Sequence, residues 1–165
     1  MKRSACIAAV AVALVGLAGA CAKTSKADVT ARRLSVVAVD EKATTLEQLD
    51  LGKTGFGPGD QLVEEAPIQD GSGKDLGKSY TIMTMTSGKS LNDAMGLIDC
   101  SINLADGVIL FNGHFSLKDL GAGITIPVIG GTGAYAGAGG TVKMQASDMK
   151  KTNMTFELLI PTRES

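Results

Sequence analysis

Asp99 and His114, an acid and the chain's only imidazole, are the pair whose types and spacing could support acid–base chemistry. Asp106-Gly107, set between two apolar alternating runs, predicts a two-residue hairpin turn joining strands at 97–105 and 108–117. With Ala105 opposite Val108, Asp99 faces His114 and Ser101 faces Asn112. The other face pairs Ile102 with Phe111, Cys100 with Gly113 and Ile98 with Phe115. Cross-strand neighbours lie about 4.5–5.5 Å apart at Cβ, within hydrogen-bonding reach, and the carboxylate would favour the imidazolium. Two readings of this polar face follow. It lines a cavity, with Asp99 and His114 as acid and base and Asn112 on the ligand, or it is the wet side of a half-buried hairpin.

Three further residues bear on a pocket. Tyr80 offers a phenol donor, or packs at the end of a fold. Cys100 lies on the apolar face, as a ligand contact or a small buried hydrophobe. Gly113 marks either a bend or room for a ligand. Other chemistries lack their residues. A single histidine leaves no three-ligand zinc centre, and no Gly-x-Ser-x-Gly elbow, Walker loop or calcium loop is present. No metal and no cofactor is expected. Aromatic residues make up 4% of the chain and tryptophan is absent, so an apolar cavity would be walled by aliphatics and methionine.

The elements that must position these residues read as short strands separated by turns. Strands are predicted at 33–39, 61–68, 76–86, 97–105, 108–117, 124–129, 141–146 and 153–160. The longest irregular stretch, 40–58, could hold one helical turn at 45–51, where Thr45 and Gln48 have capping-box spacing. Residues 130–142 read Gly-Gly-Thr-Gly-Ala-Tyr-Ala-Gly-Ala-Gly-Gly-Thr-Val. Gly131-x-Gly133-x-x-Ala136 matches the form of a dinucleotide fingerprint, but an alternating strand follows it and not the helix that a phosphate requires. A glycine-rich turn between strands is predicted. Eight short strands and no long helix predict an all-β fold, a closed eight-stranded antiparallel barrel, with an open sandwich as the alternative.

The N-terminus reads as an export signal. Lys2 and Arg3 precede an apolar run at 5–18, too short to span a bilayer comfortably, and Ala18-Gly19-Ala20-Cys21 resembles a lipobox. The expected organisation is a signal segment at 1–21, a tether at 22–29 and a barrel domain at 30–165. Cys21 is the expected lipidation site, making the membrane a partner through a lipid anchor. Ordinary secretion with cleavage near Ala20 or Ala22 is the alternative, in which an unacylated Cys21 could pair with Cys100. Loss of Lys2 and Arg3 takes the formal charge from −1 to about −3. With no basic stripe remaining, nucleic acid is not an expected partner.

The glycine-rich segment, together with Gly59-Asp60-Gln61-Leu62-Val63 and Gln69-Asp70-Gly71-Ser72-Gly73-Lys74-Asp75-Leu76-Gly77, resembles the allene oxide cyclase and dirigent barrel superfamily. The resemblance covers roughly residues 30 to 160. It implies a barrel that holds a small hydrophobic molecule, or an isomerase or cyclase that steers ring closure of a reactive apolar substrate, as in allene oxide cyclases or polyketide spirocyclases. It also implies a possible homotrimer. The family's functional positions fall on other residue types here. Ala66 stands near its asparagine, Met83 near its cavity cysteine, Val36, Val37 and Val39 where its glutamate would be, and Gly139 at the dirigent arginine.

Overall fold

A computed structural model describes residues 28–52, 55–90, 92–147 and 150–162. The expected signal segment, Cys21 and nearly all of the tether lie outside them. Among the described residues nine strands form: β1 (Val29–Ala38), β2 (Thr45–Leu49), β3 (Gln61–Gln69), β4 (Asp75–Ser87), β5 (Met95–Leu104), β6 (Gly107–Ser116), β7 (Ile124–Gly133), β8 (Gly139–Ser147) and β9 (Lys151–Pro161). The sheet runs β1-β9-β8-β7-β6-β5-β4-β3-β2 and closes through β1–β3 pairing. Eight strands make the expected antiparallel barrel, and β2 lies outside it.

Closure explains the ninth strand. β1 pairs with β3 only through Val37–Gln69 and Ala38–Ile68, then turns away through a 3-10 turn at Asp40–Lys42. That leaves the first half of β3 with an open edge, whose unpaired N–H and C=O groups need partners. Thr45–Leu49 supplies them, pairing Thr45 with Glu65 through Leu49 with Gln61. The helical turn predicted at 45–51 is therefore corrected to a strand: a waiting sheet edge outweighs a local capping pattern.

Alternation along each strand fills the interior. Val36, Ile68, Ile98, Ile102, Ile109, Phe111, Ile126, Val142, Phe156 and Leu158 are all buried. Phe111 and Phe156 meet edge to face with centroids 5.9 Å apart. One barrel end is closed by the β3–β4, β5–β6 and β7–β8 turns. There the glycine-rich segment folds back as predicted and drives Tyr135 into the core, 1% exposed. Gly131 permits this closeness, since a Cβ on it would lie 2.4 Å from the Val108 carbonyl and 2.6 Å from that of Tyr135. Gly133, at φ +59°, takes the left-handed conformation that completes the turn.

The predicted hairpin forms with its register displaced by two residues. Leu104 pairs with Gly107, so Ala105 and Asp106 make the turn, Asp99 faces Asn112, and His114 faces Leu97. Cys100 faces Phe111 and Gly113 faces Ile98. A shift of two preserves both faces while changing every partner, so the expected Asp99–His114 and Cys100–Gly113 pairs do not form.

Candidate functional site

The sequence-predicted residues divide between the two sides of the wall. Tyr80 (41% exposed), Asp99, Asn112 and His114 point outward, whereas Cys100 points in. Asn112 Nδ2 donates to Asp99 Oδ1. Tyr80 and Asp99 share an open outer groove of about 560 Å³ with Ile82, Leu110 and Ile129, and Cys100 lies at its floor; His114 and Asn112 are not part of it. A molecule in so open a groove would keep much of its surface in water, unlike the enclosure typical of ligand sites. Gly113 makes a close approach between strands: a Cβ there would lie 3.1 Å from Ile126 and 3.2 Å from Pro127, so neighbours already occupy the space.

A second space lies at the mouth of the barrel, toward the end opposite the turns, with Gln48 of β2 on its rim. A chamber of about 200 Å³ is walled by Leu62, Met83, Met85 and Phe115 from the strands and by Leu117 and Leu120 beyond β6. Phe56 and Asp60, from the loop after β2, lie across it. Met83, Phe115 and Leu120 also border a deeper, narrower cavity of about 40 Å³, where polar groups gather: Asp40, Glu64, Ser79, Thr81, Cys100 and Thr152.

Glu64 is the central group. On β3 the inward positions are Leu62, Glu64, Ala66 and Ile68, so one of two adjacent glutamates enters the barrel. Glu65 points out and accepts from Lys78 Nζ at 2.5 Å. Burial pushes the Glu64 carboxyl up from 4.5 to about 7, and the nearby Asp40 carboxylate adds to the rise. Desolvation also raises Asp40, opposed by a hydrogen bond that Thr152 Oγ1 donates to its Oδ2 at 2.9 Å. The other oxygen of Asp40 is buried and has no hydrogen-bond partner among the described residues.

Around these acids the remaining polar groups are engaged. Ser79 Oγ donates to the Ala66 carbonyl at 3.2 Å. Thr81 Oγ1 lies 3.2 Å from Cys100 Sγ. Burial lifts the Cys100 thiol to about 12, so the thiol stays protonated and is a weak nucleophile. Asp60, 4% exposed, accepts from the Gly57 N–H at 2.8 Å through Oδ2, while its Oδ1 is buried and has no partner among the described residues. Among the described residues no group of three or more acidic, histidine or cysteine side chains is arranged to hold a metal ion.

The sequence readings missed Glu64, Asp40 and Asp60 as a set. Glu64 had a legible signal, because it shares the parity of Leu62, Ala66 and Ile68 on a strand whose other face carries Gln61, Glu65 and Gln69. The resemblance to the barrel superfamily points to the first strand for an interior glutamate. Val36 is buried there, and the interior carboxyl comes from β3, two residues before Ala66.

The sequence matches no described protein family, and no curated protein matches it. Among solved structures the fold is similar to that of a pyocyanin demethylase, at 20% identity and TM-score 0.66, covering 77% of this chain and 99% of the other. It is also similar to AbnU, an exo-specific intermolecular Diels-Alderase (16% identity, TM-score 0.63, 79% and 98% covered). A third neighbour is the pterocarpan synthase dirigent protein GePTS1 (12% identity, TM-score 0.62, 84% and 88% covered). The chain thus has the barrel fold of the cyclase- and dirigent-type proteins, as its motifs implied.

Proposed function

We propose that this chain takes a small, largely apolar molecule into the barrel chamber and isomerises or cyclises it without a cofactor, with Glu64 carrying the proton. The observation that bears the reading is a carboxyl that burial pushes up to about 7, in the small cavity that shares Met83, Phe115 and Leu120 with a largely apolar chamber. At neutral pH such a group is present both as acid and as base. The acid form donates a proton at one atom of the ligand and the resulting carboxylate removes one from another, so the residue is regenerated and no co-reactant is consumed. Confinement by Met83, Phe115 and Leu120 supplies orientation, which can account for much of the acceleration of a ring closure. The cyclase neighbours support this reading through fold alone.

The second part of the proposal is location. The basic start, the apolar run at 5–18 and Cys21 after Ala18-Gly19-Ala20 support export and attachment through an acylated Cys21. Cell fractionation should find the wild type with membranes and Cys21→Ser in the soluble extracytoplasmic fraction. Equal distribution would reject the anchor.

Native mass spectrometry of protein from its natural host, with chromatography of the released molecule to separate isomers, tests the chemistry. Glu64→Gln should retain an unconverted apolar molecule, and adding wild type to it should yield an isomer of equal mass. The same molecule, unchanged in both proteins, would make the barrel a container; an empty chamber in both would reject the reading.

A further inference from the structure

We propose that the chamber selects small apolar molecules carrying a protonated nitrogen and rejects those carrying a carboxylate. This names the ligand class of the site just proposed and rests on that reading.

The cavity walls carry acids at both ends. Asp60 lies at the outer chamber, Glu64 and Asp40 at the inner one, and among the described residues no Lys, Arg or His lines either space. Two of these acids hold an oxygen that is buried and without a partner among the described residues, Asp60 Oδ1 and Asp40 Oδ1. A buried acceptor left unpaired is costly, and a donor that reaches these carboxylates from the cavity side would offset that cost. An N–H⁺ group meets that need in charge and in hydrogen-bond direction; a carboxylate fails on both counts. The chamber, about 200 Å³, is below the roughly 300 Å³ at which drug-sized pockets begin, so the ligand is compact.

The groups facing Glu64 set the pH dependence. Asp40 faces it from the 3-10 turn after β1, and Cys100 from β5, its thiol protonated. The neighbouring cavity positions on β4 and β9 (Ser79, Thr81, Met83, Thr152, Met154) carry no charge. Raising the pH through the Glu64 transition therefore adds negative charge to the cavity, which attracts a cationic ligand more strongly. Lowering it removes that attraction.

The test uses three probes of one shape: 2-naphthylmethylamine, 2-naphthalenemethanol and 2-naphthoate. They are titrated calorimetrically into the full chain carrying Cys21→Ser, which keeps acyl chains out of the chamber. At about pH 8 the amine should bind at least tenfold tighter than the alcohol, and the carboxylate should not bind. At about pH 5.5 the amine stays protonated, but its advantage should shrink severalfold because Glu64 is then protonated. In Glu64→Gln the advantage at about pH 8 should fall to the wild type's low-pH value and lose its pH dependence. Equal binding of amine and alcohol, or binding of the carboxylate as tight as the amine, overturns the charge selection while leaving an apolar binding chamber intact. An advantage that ignores both pH and Glu64→Gln also overturns it. Failure of all three probes overturns this inference and the binding reading together.

Discussion

The two ends of the barrel are built on opposite terms. At the turn-closed end every polar group in the cluster has a partner. The Tyr135 hydroxyl donates to Asp106 Oδ2 at 3.3 Å, Arg32 pairs with the same oxygen at 3.4 Å, and its guanidinium lies 4.8 Å above the Tyr135 ring. The Asp106 carbonyl accepts from the Ala134 N–H at 2.8 Å, locking the hairpin turn onto the glycine-rich turn. At the other end Asp40 and Asp60, which line the cavities there, each keep a buried oxygen without a partner among the described residues. The same eight strands thus close one end for stability and leave the other short of hydrogen bonds, which is the usual division between scaffold and site.

The sharpest way to break this contrast is to remove the plug. Tyr135→Ala should cost about 3–5 kcal/mol, the range for deleting a fully buried aromatic ring, read from denaturant midpoints at constant slope. Met83→Ala, at the edge of a cavity that already exists, should cost clearly less. Equal losses would mean that the open end is as much core as the closed one. Gly131→Ala should cost about 1–3 kcal/mol, because the added methyl meets two backbone carbonyls that cannot swing away. A neutral result would show that the glycine-rich turn is loose.

Glu64→Gln probes the open end with the reverse sign. The folded-state value of Glu64 lies above its unfolded one, so the native state holds the proton more tightly. Its contribution is fully present below about 4.5 and is lost as the pH rises toward about 7. The amide should therefore raise stability at about pH 8 by about 1–2 kcal/mol, after discounting for the partial exposure of the carboxyl, and change little at about pH 4. Thermal midpoints at the two pH values check it; a loss at about pH 8 would place Glu64 among the stabilising contacts. The smallest effects belong to the outer face. Asp99→Ala and His114→Ala should each shift stability by under about 0.5 kcal/mol and leave binding in the chamber unchanged. A larger effect of Asp99→Ala on ligand handling would return the site to the outer groove.

Much of the fold was legible because its signals are local. Strand runs, the hairpin between β5 and β6 and the glycine-rich turn depend on alternation and on turn chemistry, both written in short stretches. The face on which Asp99, Asn112 and His114 sit was also legible, since parity survives a two-residue slip. Their partners were not. Asp106-Gly107 reads locally as a two-residue turn, but Gly107 lies against the Thr132 carbonyl, where a Cβ would come within 2.2 Å, and this docking draws it into β6. The β2 strand was hidden for a related reason, because its cause is an edge that β1 leaves open on β3, 12 to 20 residues further along the chain.

What the sequence determined by itself is the alternation that assigns each side chain to inside or outside, Glu64 included. The glycines that allow backbones to meet are written in it as well. Only the tertiary structure decided that three acids from separate segments, Asp40, Asp60 and Glu64, line two neighbouring cavities that share Met83, Phe115 and Leu120 and have no cation among the described residues. The reason is closure. Alternation is a property of neighbours along the chain, whereas the meeting of a post-β1 turn, a loop after β2 and the middle of β3 depends on where β1 leaves β3 as the barrel closes.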